Sequence, residues 1–299
     1  MKKRWKAGLA VCLALLFGAF AAAEPDARAH RAVAAAAEAP AGQLEDGRIC
    51  LPILMYHEVK HSHTGKDCIT PGELESDLSY LKKNGYTAIT MTELINYTDG
   101  KGELPPRPII LSFDDGYLSS YVYAYPLIRK YDMKMVLSLI GKSTDDFTEI
   151  PSDDINCSHA TWDQIREMLA SGHVEIQNHT YNMHHITRKR FGCQKRKGES
   201  RAEYERVLTA DLDQLQQEIY TMTGIRPNTF TYPYGQVSPE SVPVLKKLGF
   251  KASLTCDYGL NLIDRDPQTL FGLRRICRAH GSSAQKLLAG AQKTLRFRR

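Results

Sequence analysis

The hydrophobic positions alternate between short continuous runs and longer amphipathic stretches from Ile49 onward. Short apolar runs predict buried strands, and apolar residues spaced three or four apart predict helices. The predicted strands are residues 53–56, 108–113, 135–140, 174–176, 229–231 and 252–255. The predicted helices are residues 71–84, 124–131, 162–171, 201–224 and 242–248. This alternation predicts an α/β fold with a parallel sheet, either open or closed into a barrel.

Polar residues of chemical interest follow directly after several of the predicted strands. Asp114 follows residues 108–113, His179 comes shortly after 174–176, and Tyr232 follows 229–231. Folds with parallel sheets place their sites at the carboxyl ends of the strands. We therefore expect these segments to meet at one site.

The first segment contains two adjacent carboxylates, Asp114 and Asp115, followed by Gly116. Negative charge at the rim of a core is costly unless a cation or hydrogen-bond donors compensate it. A metal ion would satisfy this requirement, with one carboxylate binding the ion and the other acting as a general base towards water. The alternative is a simple turn, because Asp-Gly is a common turn pair.

The second segment offers imidazoles at His179 and His184, five residues apart, with His185 adjacent. Neutral imidazole is a preferred ligand of zinc, and two histidines with one carboxylate leave positions open for water and substrate. We expect His179 and His184 to be the ligands, and His185 is the alternative to His184. Surface histidines in a polar loop are the non-functional interpretation.

The third segment runs through Tyr232, Pro233, Tyr234 and Gly235. Proline and glycine make a rigid loop that allows close approach of the backbone to a ligand, and aromatic rings can pack on a sugar. Without the other two segments, this one would be interpreted as a turn.

The N-terminus predicts export. A basic run at residues 2–6 precedes an apolar stretch at 7–20 and a small-residue site at Ala23, which is the pattern of a signal peptide. We therefore predict a signal peptide over residues 1–23, an Ala-rich flexible spacer over 24–48 and one domain over 49–299. The alternative for the first segment is an uncleaved membrane anchor, although it is short for a spanning helix.

Composition narrows the class of protein further. The chain has 299 residues, 42% of them hydrophobic, and a net charge of +5, which is typical of a globular protein and weak evidence for an acidic partner. No basic stripe with interleaved aromatics indicates nucleic-acid binding. Six cysteines remain after residue 23, which permits three disulfides or buried thiols. They are Cys50, Cys68, Cys157, Cys193, Cys256 and Cys277.

Together these segments resemble the polysaccharide deacetylase family, carbohydrate esterase family 4, also called the NodB homology domain. The resemblance covers the chain from Pro52 onward, beginning with PILMYHE at residues 52–58, and it is most specific from about residue 107. SFDDGY at 112–117 and HTYNMH at 179–184 carry it. The five-residue histidine spacing is similar to that of the branch containing poly-N-acetylglucosamine deacetylases. The resemblance implies a single-domain α/β fold, a distorted (β/α) barrel.

The resemblance also implies roles for the residues. Asp115, His179 and His184 would bind a divalent metal ion, with Zn²⁺ expected and Co²⁺, Ni²⁺ and Fe²⁺ as alternatives. Asp114 would be the catalytic base. The loop of Tyr232, Pro233, Tyr234 and Gly235 would line the substrate groove, with the Tyr234 amide helping to hold the oxyanion.

The sequence departs from the family pattern at two places. Thr231 stands where many members carry an arginine directed at the base. Either Arg274 or Arg275 can occupy the position in space of that missing arginine. The late LxxH motif is absent, and His280 is the candidate catalytic acid despite its different spacing from Leu273. Arg275 and His57 are further expected to contribute to substrate binding.

The expected activity is removal of N-acetyl groups from an N-acetylglucosamine polysaccharide outside the membrane. Exopolysaccharide and peptidoglycan are the leading substrates, ahead of chitin oligomers and acetylated xylan. The expected partner is this glycan, with no nucleic acid, and membrane contact would involve only an uncleaved N-terminal segment. One alternative is a catalytically silent glycan-binding protein with the same fold, and another is a metallohydrolase of a different amide.

Overall fold

A computed structural model describes residues 41–62 and 64–296, with side chains through residue 293. The predicted signal peptide over residues 1–23, its membrane-anchor alternative and most of the predicted spacer lie outside the described residues. Within the described residues, no helix combines the length and the apolar character needed to cross a bilayer.

The structure contains thirteen strands in the described part of the chain. They are β1 (Gly42–Gln43), β2 (Ile49–Leu51), β3 (Ile53–Tyr56), β4 (Glu58–Val59), β5 (Cys68–Ile69), β6 (Thr87–Ala88), β7 (Pro108–Phe113), β8 (Met135–Leu139), β9 (Val174–Asn178), β10 (Thr229–Thr231), β11 (Ala252–Tyr258), β12 (Asn261–Ile263) and β13 (Leu273–Cys277).

Eight α-helices accompany the strands in the same part of the chain. They are α1 (Pro71–Lys83), α2 (Met91–Thr98), α3 (Tyr125–Lys130), α4 (Gly141–Glu149), α5 (Trp162–Ala170), α6 (Arg201–Thr223), α7 (Ser241–Lys247) and α8 (Ala284–Arg296). A short π-helix (Ser120–Ala124) leads into α3, and 3₁₀ turns occur at Pro233–Gly235 and Pro267–Leu270.

Seven parallel strands close into a barrel. Their order is β3-β13-β11-β10-β9-β8-β7, and β3 pairs with β7 to complete the ring, while β6 pairs with β7 outside it. All pairings within the ring are parallel. The predicted barrel is therefore confirmed, and all carboxyl ends of the strands open at the same rim.

The helices form for the reasons that the sequence indicates. In α1, the Thr70 hydroxyl accepts a bond from the Glu73 amide at 3.1 Å while the Thr70 amide donates to the Glu73 carboxylate at 2.9 Å. This capping box satisfies two amides that the first turn would leave unpaired. The predicted apolar face of Leu74, Leu78 and Leu81 is fully buried. Capping boxes also begin α2 and α5.

Several elements differ from those predicted. Residues 42–43 form β1, which pairs with β2, so the last part of the predicted spacer is folded with the domain. Helices α2, α4 and α8 and strand β13 were not predicted. The strand β13 matters most, because the segment with Arg274 and Arg275 completes the barrel and directs these two side chains to opposite sides. No disulfide joins the six cysteines of the described residues.

Candidate active site

The two carboxylates lie at the end of β7, where the chain turns sharply at the rim. Asp115 and Gly116 both have left-handed backbone conformations, with φ of 70° and 76°. A Cβ on Gly116 would lie 2.8 Å from the Leu139 Cδ2, so this position favours glycine on both counts. The turn separates the directions of the two carboxylates, and both are almost completely buried.

Asp115, His179 and His184 converge on one point. The Asp115 Oδ1 lies 3.3 Å from the His179 Nε2 and 3.2 Å from the His184 Nε2. The His179 Nδ1 donates a hydrogen bond of 2.7 Å to the Thr231 carbonyl, which directs its Nε2 at the carboxylate. Burial, followed by the neighbouring His179, lowers the pKa of His184 to about 4, so this imidazole is neutral.

The donor set at this point fits a divalent metal ion. The buried Asp115 Oδ1 has no hydrogen-bond partner, although a carboxylate oxygen without a donor is expensive to bury. One carboxylate and two imidazoles are ligands that zinc and similar ions accept, and the Thr231 carbonyl supplies the outer hydrogen bond that orients such a histidine. Among the described residues, these three form the group that could hold an ion. His185 is not part of it.

Asp114 faces a buried arginine. The Arg275 Nη1 donates to the Asp114 Oδ1 at 2.6 Å and to the Ser112 hydroxyl at 2.9 Å, while its Nε donates to the Thr255 carbonyl at 2.7 Å. Burial alone would raise the pKa of Asp114, but the charge of Arg275, the neighbouring His179 and His57 and the hydrogen bond from Arg275 together outweigh it, and the pKa is lowered. Arg275 therefore takes the place expected for the missing arginine, whereas Thr231 bonds to Ser138 through its hydroxyl.

The placement of Arg275 corrects the prediction that this residue contributes to substrate binding. Its side chain is only 1% exposed, and its guanidinium lies behind Asp114, so it does not contribute to a substrate-binding surface as expected. Its neighbour Arg274 lies against Gly259 instead.

His57 and His280, the other two candidate histidines, occupy different places. The His57 Nε2 lies 3.8 Å from the Asp114 Oδ2, and its side chain is 19% exposed. His280, predicted as the catalytic acid, lies against the first turn of α1, where its Nδ1 is 2.7 Å from the Glu73 carboxylate. The hydrogen bonds of His280 are to Glu73 and Gly65, and none joins it to Asp114 or Asp115. His57, expected at the groove, lies beside Asp114.

Only part of the loop at residues 232–235 faces the site. Tyr232 is fully buried and bonds to the Ser241 hydroxyl at 2.6 Å, so it does not line a groove as predicted. Pro233 is also buried. The ring of Tyr234 is exposed and packs on His184, with centroids 4.5 Å apart. Gly235 has φ of 67°, and a Cβ there would lie 2.7 Å from the Cys256 amide nitrogen, which explains the glycine.

Two further residues at the site, Tyr117 and His159, were not predicted from the sequence. Burial, followed by the charge of the adjacent Asp115 carboxylate, raises the pKa of Tyr117. Its ring stacks on His159 at 4.7 Å, and the His159 Nδ1 lies 3.3 Å from the Asp115 carbonyl. The position of Tyr117 directly after Asp-Asp-Gly could have indicated its proximity. No local pattern marks His159, because a long connection brings it to the rim.

Known proteins that are similar to this chain in sequence and in fold include N-deacetylases. A poly-beta-1,6-N-acetyl-D-glucosamine N-deacetylase of Escherichia coli K12 is 25% identical over 218 residues, covering 66% of the chain and 32% of the relative. The chain thus spans about a third of that relative's length. The structure of a de-N-acetylase from Aggregatibacter actinomycetemcomitans matches 77% of the chain and 95% of its own, with a TM-score of 0.66 and 27% identity.

IcaB from Ammonifex degensii gives a similar result. Its structure covers 81% of the chain and 97% of its own, with a TM-score of 0.66 and 26% identity. The family model described as polysaccharide deacetylase matches residues 101–253, about half of the chain, including Asp114, Asp115, His179 and His184. The chain therefore belongs to the polysaccharide deacetylase family.

Proposed function

We propose that the protein hydrolyses the acetamide of N-acetylglucosamine residues in a polysaccharide, releasing acetate and leaving a free amine. The observation that carries this proposal is the pairing of a three-ligand group with a separate buried carboxylate, Asp114, held by Arg275. The similar proteins named above, which are described as N-deacetylases, support the same chemistry.

In this proposal Asp115, His179 and His184 hold the metal ion. When bound, a divalent ion polarises the acetyl carbonyl and makes water a better nucleophile near neutral pH. The three ligands present two imidazole nitrogens and one carboxylate oxygen. This set suits Zn²⁺, with Co²⁺, Ni²⁺ and Fe²⁺ as alternatives.

Asp114 is the base that takes a proton from the attacking water. A base must be ionised in the resting enzyme, and the guanidinium of Arg275 is the largest of the contributions that lower the pKa of this buried carboxylate. Because Arg275 bonds to one oxygen, Oδ1, the other is left to face the reactants. Arg275 is thus a positioning residue, which also fixes the orientation of the carboxylate through its bonds to Ser112 and Thr255.

His57 is the better candidate than His280 for the proton donor to the leaving amine. A donor must lie within hydrogen-bond reach of the reacting group, directly or through one water. His57 lies beside Asp114 and is partly open to solvent, whereas His280 is bonded to Glu73. The exposed Tyr234 would pack against the sugar, and its amide would stabilise the oxyanion.

The substrate is proposed to be an exported or cell-envelope glycan. The basic and apolar pattern of residues 1–23 supports export, and the relatives described as poly-beta-1,6-N-acetyl-D-glucosamine N-deacetylases support exopolysaccharide over peptidoglycan. Cell fractionation of a strain producing the full chain tests directly whether the protein is exported. Recovery in the cytoplasmic fraction alone would contradict it.

The decisive test is acetate release from purified poly-β-1,6-N-acetylglucosamine and from peptidoglycan. We expect the wild-type protein to release acetate in a reaction that a chelator abolishes and added Zn²⁺ or Co²⁺ restores. Asp114→Asn should lower the rate by about 10²- to 10⁴-fold, the range for loss of a general base. Asp153→Asn, at an exposed carboxylate, is the matched control and should retain activity. Glycan binding without acetate release from the wild type would support a silent binding protein instead.

A further inference from the structure

A hairpin begins one residue after the metal ligand His184. The Thr187 amide donates to the Arg190 carbonyl at 2.8 Å, and the Gly192 amide donates to the His185 carbonyl at 3.0 Å. Ile186 and Phe191 form the bridge between its two arms. The hairpin is therefore fixed to the rim of the site by the backbone, and its position relative to the reacting centre is set by His184.

Aromatic rings connect this hairpin to the site. The Phe191 ring packs on Tyr234 with centroids 5.0 Å apart, and Tyr234 packs on His184 at 4.5 Å. Phe191 and Tyr234 are 37% and 36% exposed. They form a continuous exposed ring surface that starts at a metal ligand, which is a suitable surface for consecutive sugars of a polymer.

A pocket of about 440 Å³ lies on the same hairpin. Its lining is almost entirely cationic and consists of His185, Thr187, Arg188, Lys189, Arg190 and Arg196. We call this the 185–196 pocket. Two of its four permanent cations, Arg190 and Arg196, pair with the carboxylate of Glu199, whose side chain is only 1% exposed and does not line the pocket.

Glu199 organises two of these cations. Its Oε1 accepts bonds from the Arg190 Nη2 at 2.5 Å and from the Arg196 Nε at 3.2 Å, and its Oε2 accepts from the Arg196 amide at 2.9 Å. The Arg190 Nη1 is further bonded to the Gln194 carbonyl at 2.8 Å. Both guanidiniums are thus held in place before any ligand arrives. This differs from a solvated basic surface, whose side chains would have to be ordered on binding.

Arg188 and Lys189 have no anionic partner within the described residues. Their backbones are fixed by the hairpin turn, since the Lys189 amide donates to the Thr187 hydroxyl at 3.2 Å. The lining of the pocket therefore combines two ordered guanidiniums with two cations that have no ion pair in the described part of the chain, and such groups suit oxyanions, which accept charge-assisted hydrogen bonds.

We propose that the 185–196 pocket binds an oxyanion, a carboxylate or phosphate ester, carried by the same glycan whose acetamide reacts at the metal-binding group. This inference rests on the proposed function and adds a substrate class to it. The glycan would lie over Tyr234 and Phe191, with an anionic substituent of a nearby sugar in the pocket. A neutral polymer would lack this contact and react less efficiently.

The test compares three β-1,6-linked N-acetylglucosamine oligosaccharides of equal length, one neutral, one with lactyl ether carboxylates at O3 and one with phosphate esters at O3. We expect kcat/KM for acetate release to be about tenfold higher for at least one anionic oligosaccharide, because one charge-assisted contact corresponds to roughly that factor. Arg188→Gln with Lys189→Gln should reduce this anionic-to-neutral ratio to about one. Lys197→Gln removes an exposed cation outside the pocket and is the matched control, for which the ratio should not change.

The comparison between the two anionic oligosaccharides identifies the carboxylate or the phosphate as the preferred group. Equal kcat/KM for all three oligosaccharides, or an unchanged ratio in the double variant, would overturn the inference. Retention on anionic lipid vesicles that is lost in the double variant, without any glycan preference, would assign the pocket to a membrane surface and overturn it as well.

A binding measurement separates this inference from the proposed function. Calorimetric titration of the Asp114→Asn protein with the same oligosaccharides reports the anionic preference without turnover. Failure of acetate release in the wild type would refute the proposed function. The ratio of the dissociation constants for the anionic and neutral oligosaccharides would still test whether the 185–196 pocket binds an oxyanion.

Discussion

Replacing Arg275 by methionine tests the most buried ion pair of the site. The Arg275 Nη1 and Asp114 Oδ1 are 2.6 Å apart, and the two side chains are 0% and 2% exposed. The substitution keeps an unbranched apolar stem that ends near the position of the arginine Nε, and it removes the charge and the bonds to Ser112 and Thr255. It leaves Asp114 without its main counter-charge.

The expected cost follows from the burial of the pair. Two unit charges about 4 Å apart interact by roughly 4 kcal/mol at an effective dielectric constant of 20. Removing one partner of a buried pair typically costs about 3–5 kcal/mol because the remaining charge is uncompensated. We therefore expect Arg275→Met to lower the free energy of unfolding by about 3–5 kcal/mol. Acetate release should fall by about 10²-fold or more, since the base is no longer held ionised and oriented.

A double-mutant cycle with Asp114→Asn isolates the pair. The bonds from Arg275 to Ser112 and Thr255 are lost in both backgrounds, so they cancel in the cycle. Urea unfolding of the wild type, the two single variants and the double variant should give a coupling free energy of about 2–3 kcal/mol. Arg274→Met is the matched control, because Arg274 hydrogen-bonds to Asn261 through its backbone only, and should cost less than about 1 kcal/mol. A coupling below about 0.5 kcal/mol would refute the reasoning.

Three further results are expected. His57→Ala should lower kcat for acetate release by about 10²-fold or more with a small change in stability, whereas His280→Ala should lower stability and largely spare kcat; the opposite pattern would restore His280 as the donor. His184→Ala should abolish uptake of one divalent ion per chain measured by elemental analysis, and His185→Ala should retain it; equal uptake by both variants would contradict the ligand assignment. Although burial opposes its ionisation, bonds from the Thr70 amide, His280 and the Gly281 amide lower the pKa of Glu73 from 4.5 to about 2. Its contribution to stability is thus present above pH 4.5 and lost as the pH falls towards 2. Glu73→Gln should remove about 1–2 kcal/mol at pH 5 and much less at pH 2.5 in urea unfolding, and an equal loss at both pH values would argue against this role.

The sequence determined the features that depend on local chemistry. Apolar runs such as Pro108–Phe113 form strands because their side chains are buried on both faces of a parallel sheet, and the spacing of Leu74, Leu78 and Leu81 is sufficient to define the face of α1. The Asp-Asp-Gly turn and His179 lie directly after strands of one parallel sheet, and His184 follows in the same loop as His179. Their convergence at one rim therefore followed from the order of the elements.

Only the tertiary structure decided the roles of groups that meet across the barrel. Arg274 and Arg275 are adjacent and chemically identical in the sequence, and the pleat of β13 alone directs one towards Asp114 and the other away. His57 reaches Asp114 because β3 pairs with β7, which is a contact between distant segments. The burial of Tyr232 and the orienting of two arginines by Glu199 likewise depend on packing. Local patterns specify backbone conformation, but which side chains share a site depends on strand pairing and side-chain direction, which no short segment contains.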